Sequence, residues 1–143
     1  MLIGEYRHAL DAKGRLIVPS KFREDLGEKF ILTRGIGSCL FGLSLEEWDN
    51  FSAKLRGLPM TDAYALDFVR LFFAGATECE LDKQGRILIP AHLREAAALS
   101  KDAVVTGVMS RIEIWDSGQW DDYQKKADAS FNETLLKMAQ LGI

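Results

Sequence analysis

Cysteine, histidine and proline are scarce in this chain, at two, two and three of 143 residues. Cys39 and Cys79 stand far apart without metal-ligand spacing, which speaks against a disulfide framework or a zinc cluster and fits a reducing cytosol. Both read as small buried hydrophobes. His8 and His92 also lack partners at metal spacing, so neither a metal nor a cofactor is expected. No Gly-rich phosphate loop, nucleophile elbow or Cys–His pair occurs, and the expectation is a protein that is not an enzyme. There is no run of about 18 apolar residues, hence no expected membrane span. The opening M-L-I-G-E-Y-R is charged at once and lacks the plan of a signal peptide. Together these absences predict a soluble cytoplasmic protein. A basic excess is missing too: the formal net charge is −3, which argues at first against nucleic acid.

What the chain does have is a repetition. Residues 10 to 23 read L-D-A-K-G-R-L-I-V-P-S-K-F-R, and residues 81 to 94 read L-D-K-Q-G-R-I-L-I-P-A-H-L-R. Leu, Asp, Gly, Arg, Pro and the closing Arg recur, with apolar residues between Arg and Pro both times. Further on, Ser44-x-x-Glu47-Trp48 lines up with Asp116-x-x-Gln119-Trp120, and Phe51 with Tyr123. Each of these is a capping-box helix start, in which the first side chain accepts from the amide three residues on. The period is too long for a solenoid and suits two small subdomains.

Each block reads strand, tight turn, strand, then stop. Asp11 and Asp82 can accept from amides two or three residues on, and Gly14 and Gly85 can take the positive φ that a Cβ resists. Pro19 and Pro90 close the apolar runs because they supply no amide to a ladder. The division this predicts is a first repeat over 1–56, a connecting buried helix within 57–75, a second repeat over 76–127 and a helical extension over 128–143. The helix from Asp62 to Ala74 is apolar nearly all round, which predicts burial between the halves or against another subunit. A thin seam of Trp120, Ala127, Phe131, Met138 and Leu141 marks a C-terminal helix that packs either on its own domain or on a neighbour.

Charge follows the repeats. Residues 1–43 carry seven Lys/Arg against five Asp/Glu, and 81–112 carry five against three, whereas 44–80 and 113–143 are acidic. A duplicate that kept only its turn and its core would not need to keep Arg15 and Arg86. Two readings of this pair are open, and they are compatible. The planar fork can bond guanine O6 and N7 or grip a phosphate, or it can lock its turn by pairing with Asp11 or Asp82. Lys13 and Lys83 lie on the same loops and suit phosphate. Asp11 and Asp82 as an aspartyl dyad is a remote third reading, since both stand at the first corner of a polar turn.

The D-x-x-G-R block with its apolar run, Pro and short helix resembles the swapped-hairpin DNA-binding fold of the SpoVT-AbrB type. Two such blocks in one chain, with M-L-I-G-E-Y-R-H-A-L-D at the start, are similar to the MraZ family of bacterial transcriptional regulators. The resemblance covers the whole chain. It implies an α+β fold with a mainly β core, in which two tandem AbrB-like halves build one pseudo-twofold, barrel-like domain with flanking helices. It further implies a ring-shaped homo-oligomer that binds double-stranded DNA, at short promoter direct repeats rich in T and G. Such a protein, nucleoid-associated, would chiefly repress its own promoter and the division and cell-wall gene cluster downstream. Arg15 and Arg86 fall on the family's DNA-reading arginine, and Arg7, Arg23 and Arg94 on basic positions that AbrB-type domains direct at DNA. Glu78 stands where the second half would match Arg7, and Glu24 and Glu95 where another Arg often follows, so the halves need not contact DNA equally. A protein-interaction module, with both arginines structural or bound to an acidic protein surface, is the alternative from another class.

Overall fold

The computed structural model describes residues 1–143. In chain order the elements are β1 (Leu2–Ala9), β2 (Arg15–Ile17), α1 (Ser20–Leu26), β3 (Lys29–Arg34), β4 (Cys39–Ser44), α2 (Leu45–Leu55) and α3 (Ala63–Ala74). The second series is β5 (Thr77–Glu80), β6 (Arg86–Leu88), α4 (Ala91–Ala96), β7 (Asp102–Met109), β8 (Arg111–Asp116), α5 (Ser117–Ala129) and α6 (Phe131–Gln140). Six strands form one antiparallel sheet in the order β1-β7-β8-β4-β3-β5, and β2 pairs with β6 as a separate ribbon.

That order is palindromic in the two repeats, with β8 and β4 joined at the centre, Cys39 opposite Trp115 and Gly42 opposite Ile112. The outer strands are exchanged. β1 of the first repeat lies on β7 of the second, and β5 of the second lies on β3 of the first. The interleaving expected from the resemblance is therefore present within one polypeptide, in an α+β fold of mainly antiparallel sheet. The local hairpin read from each block takes a different form, since β2 pairs with β6 and not with β1. A strand of three residues cannot hold a hairpin alone, but paired across the halves it buries Leu16 against Ile87.

Two apolar layers sandwich the sheet. On one face lie the ribbon and the short helices α1 and α4, contributing Leu16, Val18, Phe22, Ile87, Ile89 and Leu93 to the main core with Phe30, Leu32, Leu40, Ile112 and Ile114 of the sheet. On the other face Phe41, Leu43, Val104 and Trp115 carry the longer helices, against Trp48, Phe51 and Trp120. Central strands covered on both sides lose the alternation of a half-exposed strand, and Cys39 to Leu43 are buried without interruption. Both cysteines sit inside, their thiols pushed up to about 12 by burial.

The helix starts obey the capping rule in both halves: Ser44 accepts from the Glu47 amide at 3.1 Å and Asp116 from the Gln119 amide at 3.3 Å. Beyond these starts the halves diverge. In the first half α3 folds back, stacking Phe72 on Trp48 with centroids 5.4 Å apart, while the Thr33 hydroxyl donates to the Phe72 carbonyl at 2.7 Å. Only Phe72 of this helix is buried; Tyr64, Leu71 and Phe73 remain exposed, so α3 does not lie between the halves. In the second half α5 gives way at Ser130, whose hydroxyl bonds back to the Lys126 and Ala127 carbonyls, and α6 then follows with Phe131, Leu135 and Leu136 exposed.

Candidate nucleic-acid interface

The two Asp-to-Arg turns are built alike. Asp11 Oδ1 accepts from the amides of Lys13 and Arg15, both at 2.9 Å, and Oδ2 accepts from Arg15 Nε at 2.6 Å. Asp82 Oδ1 accepts from the amides of Gln84 and Arg86, both at 2.9 Å, and Oδ2 from Arg86 Nε at 2.8 Å. Each carboxyl is held below its ordinary value, first by the amide of its motif arginine and then by that arginine's guanidinium. Carboxylates engaged by three donors are structural anchors and are poorly placed to share a proton as a dyad.

Glycine is required at both turns. Gly14 and Gly85 have φ of 81° and 75°, where a Cβ is resisted. The space a Cβ would need is also taken, in each case by the other half. Over Gly14 lies the Arg94 guanidinium, its Cζ 2.8 Å from where a Cβ would stand, and over Gly85 lies that of Arg23. The ribbon ladder runs on into the turns as well, with the Val18 amide donating to the Gly85 carbonyl and the Ile89 amide to that of Gly14, each at 2.9 Å.

These exchanges bring the two turns together. Arg86 Nη1 lies 3.8 Å from Asp11 Oδ2, so the first turn's carboxylate faces both arginines. Nε of each arginine is spent on its own-turn Asp, Arg86 Nη1 also faces Asp11, and about a quarter to a third of each side chain is accessible. Both roles open to these arginines in the sequence are thus compatible with one geometry. On the outer face of the ribbon Arg15 stands opposite Leu88, and Ile17 opposite Arg86. Ile17 and Leu88 are 38% and 58% exposed, giving an arginine pair interspersed with two aliphatic side chains. In the sequence L-I-V and I-L-I read as unbroken apolar runs, and period-two alternation is the signal that sets these two residues apart from the core.

The remaining candidates divide. Lys13 and Lys83 are exposed on the turns. Arg23 and Arg94 lie within the interface but over the turn glycines. Arg7 is turned to α5, its Nη2 2.7 Å from Asp121 and 3.4 Å from Glu5, and is not brought into the arginine pair. Pro19 and Pro90 stand at the N-caps of α1 and α4, where a missing amide costs nothing. No group of three metal-ligating side chains is assembled anywhere in the chain, and no helix is long and apolar enough to cross a membrane.

Fold and site together define a duplicated swapped-hairpin domain of the AbrB-like class, with its two motif turns joined on one face. A family model described as "MraZ protein, putative antitoxin-like" matches the chain twice, over residues 1–71 and 72–141. A protein of Acetivibrio thermocellus named transcriptional regulator MraZ is 59% identical over 143 residues, the full length of both chains. Proteins of the same name from Thermoanaerobacter sp. (strain X514) and Desulfitobacterium hafniense (strain Y51) are 55% and 56% identical, again over both full lengths. The chain belongs to the MraZ family of transcriptional regulators.

Proposed function

We propose that this regulator reads double-stranded DNA in a sequence-specific manner through the paired arginines of its two turns. The observation that carries this reading is the union of Arg15 and Arg86 on one ribbon, each held at Nε by its own Asp with about a quarter to a third of its side chain accessible. A guanidinium fixed in this way loses little freedom on binding, and its planar fork suits guanine O6 and N7. Ile17 and Leu88 offer apolar contact to thymine methyl groups beside it. Lys13 and Lys83 supply phosphate contacts, with Arg7 in a lesser role.

An acidic chain with so few basic contacts binds one site weakly, which favours a homo-oligomer, ring-shaped by family resemblance, engaging several promoter direct repeats at once. Linked units can exceed single-site affinity by roughly 10²–10⁴. The exposed apolar faces of α3 and α6 are the surfaces available for assembly. In this reading the protein is nucleoid-associated and chiefly represses its own promoter and the division and cell-wall cluster downstream of it. The organisation that goes with it is two AbrB-like repeats over 1–56 and 76–127, with 57–75 and 128–143 serving assembly.

Fluorescence anisotropy on DNA from upstream of the gene, against scrambled DNA and across salt concentrations, tests the reading. The Arg15→Ala, Arg86→Ala double variant should lose at least about 100-fold in specific affinity while keeping its circular dichroism. Equal binding of native and scrambled DNA by the wild type would sink the proposal and favour a protein-interaction module.

A further inference from the structure

We infer that Arg23 and Arg94 are crosswise positioning residues: each short-helix arginine packs on the turn glycine of the opposite half and sets the pose of that half's reading arginine. The inference rests on the DNA-reading role of the turns and adds which residue governs which turn. Arg94 belongs to α4 of the second repeat, yet it lines an open groove of about 760 Å³ with Leu10, Asp11 and Ala12 of the first turn. Arg23 of α1 lines the matching groove with Leu81, Asp82 and Gly85 of the second turn. In both cases the guanidinium fills the space that a Cβ on the glycine would take.

The next residue after each glycine is the reading arginine, so a shift of Gly14 or Gly85 is passed directly to Arg15 or Arg86. The chain is pinned from its other side too, since Leu10 donates to the Lys101 carbonyl at 2.7 Å and Leu81 to the Glu28 carbonyl at 2.9 Å. Each turn is thus clamped between a carbonyl and a guanidinium of the opposite half. The two clamps differ in firmness. Arg23 Nε donates to the Val18 carbonyl at 2.8 Å, whereas Arg94 Nε is buried without a protein acceptor. The first turn, under Arg94, is therefore the more adjustable of the two.

Hydrogen–deuterium exchange by mass spectrometry on the full chain tests this without DNA, because the amides of Lys13, Gly14, Arg15 and of Gln84, Gly85, Arg86 are all hydrogen-bonded within their turns. Arg94→Gln should speed exchange in 11–16 and spare 82–87, and Arg23→Gln should do the reverse. Changes confined to each variant's own half, or equal in both turns, would overturn the inference. Should a Gln variant fail to fold, Arg94→Lys and Arg23→Lys keep stem and charge while losing the planar group, and should show the same crosswise pattern. With promoter DNA, Arg94→Gln should weaken binding roughly ten-fold with its salt dependence unchanged. A slope shallower by about 0.9, with both turns still protected, would identify Arg94 as a phosphate contact and not a brace. Absence of DNA binding by the wild type defeats the reading role alone, and the exchange pattern still decides the clamps.

Discussion

Asp11 and Asp82 accept the same three kinds of donor at nearly the same distances. Across the sheet, Trp48 is stacked against Phe72 of a helix folded back on it, whereas its counterpart Trp120 packs on Trp115 and Tyr123 and donates its indole N–H to Glu5 of the first half at 3.1 Å. One face of the molecule has kept its twofold and the other has lost it. Paired turns that share a ladder and hold one another's glycines are under matched constraints, each braced by the opposite half. The longer helices carry no such matched constraint: α3 folds back on Trp48, whereas α5 reaches across to the first half through Asp121 to Arg7 and Trp120 to Glu5. The main core occupies an intermediate place: Phe22, Leu26 and Phe30 in the first half correspond to Leu93, Ala97 and Ala103 in the second, all buried. Tyr6, edge-on to Phe22 with centroids 5.2 Å apart, adds bulk that the smaller set lacks.

The contrast between the two faces can be broken in the outer layer first. Phe72→Ala should destabilise the protein by about 3–5 kcal/mol, because it empties the centre of the Trp48, Phe51 and Phe68 cluster. Leu135→Ala on α6, which is half exposed, should change stability by no more than about 0.5 kcal/mol in dilute protein. Urea denaturation measures both, and similar losses would mean that α6 is packed as α3 is.

Symmetry of the turns is tested next. Gly14→Ala and Gly85→Ala should each cost more than the roughly 1–2 kcal/mol of left-handed backbone strain, since each also displaces an arginine. Thermal midpoints should fall by similar amounts for the two variants, and a clearly unequal fall would show that the two glycines are not equally braced.

The smallest effect is on acidity. Folding lowers the carboxyls of Asp11 and Asp82, so the stabilisation they give is complete above the ordinary carboxylate range and is lost as pH falls through their folded values. Amide protection at both turns, corrected for intrinsic rates, should therefore fade together on acidification. One turn loosening well ahead of the other would show that the carboxylates are not equivalent.

Much of this was readable in the chain. The repeat announced the turns, and the Asp, Gly and Pro positions specified them because their roles are local: capping by a side chain, a positive φ, a missing amide. The capping boxes announced α2 and α5 for the same reason. The partner of each strand was not readable from local features, because L-I-V beside a turn is equally apolar whether it pairs with β1 or with β6. Resemblance to a swapped fold supplied that choice. Nor did spacing show Arg23 lying over Gly85, a contact that exists only once the halves have exchanged strands. The all-round apolar pattern of Asp62 to Ala74 predicted burial, yet within one chain most of that helix stays open.

The exchange of outer strands also bears on how the protein is made. When residues 1–71 have left the ribosome, β1 has no β7 to lie on, β3 has no β5, and the ribbon has one strand. The unit that repeats in the sequence is thus not the unit that is complete in the fold: residues 1–71 pair β3 with β4 among themselves, but β1 and β2 find their partners only in the second repeat. Each copy carries the same motif residues, yet a strand pairing that completes either one is made only after the other has been translated.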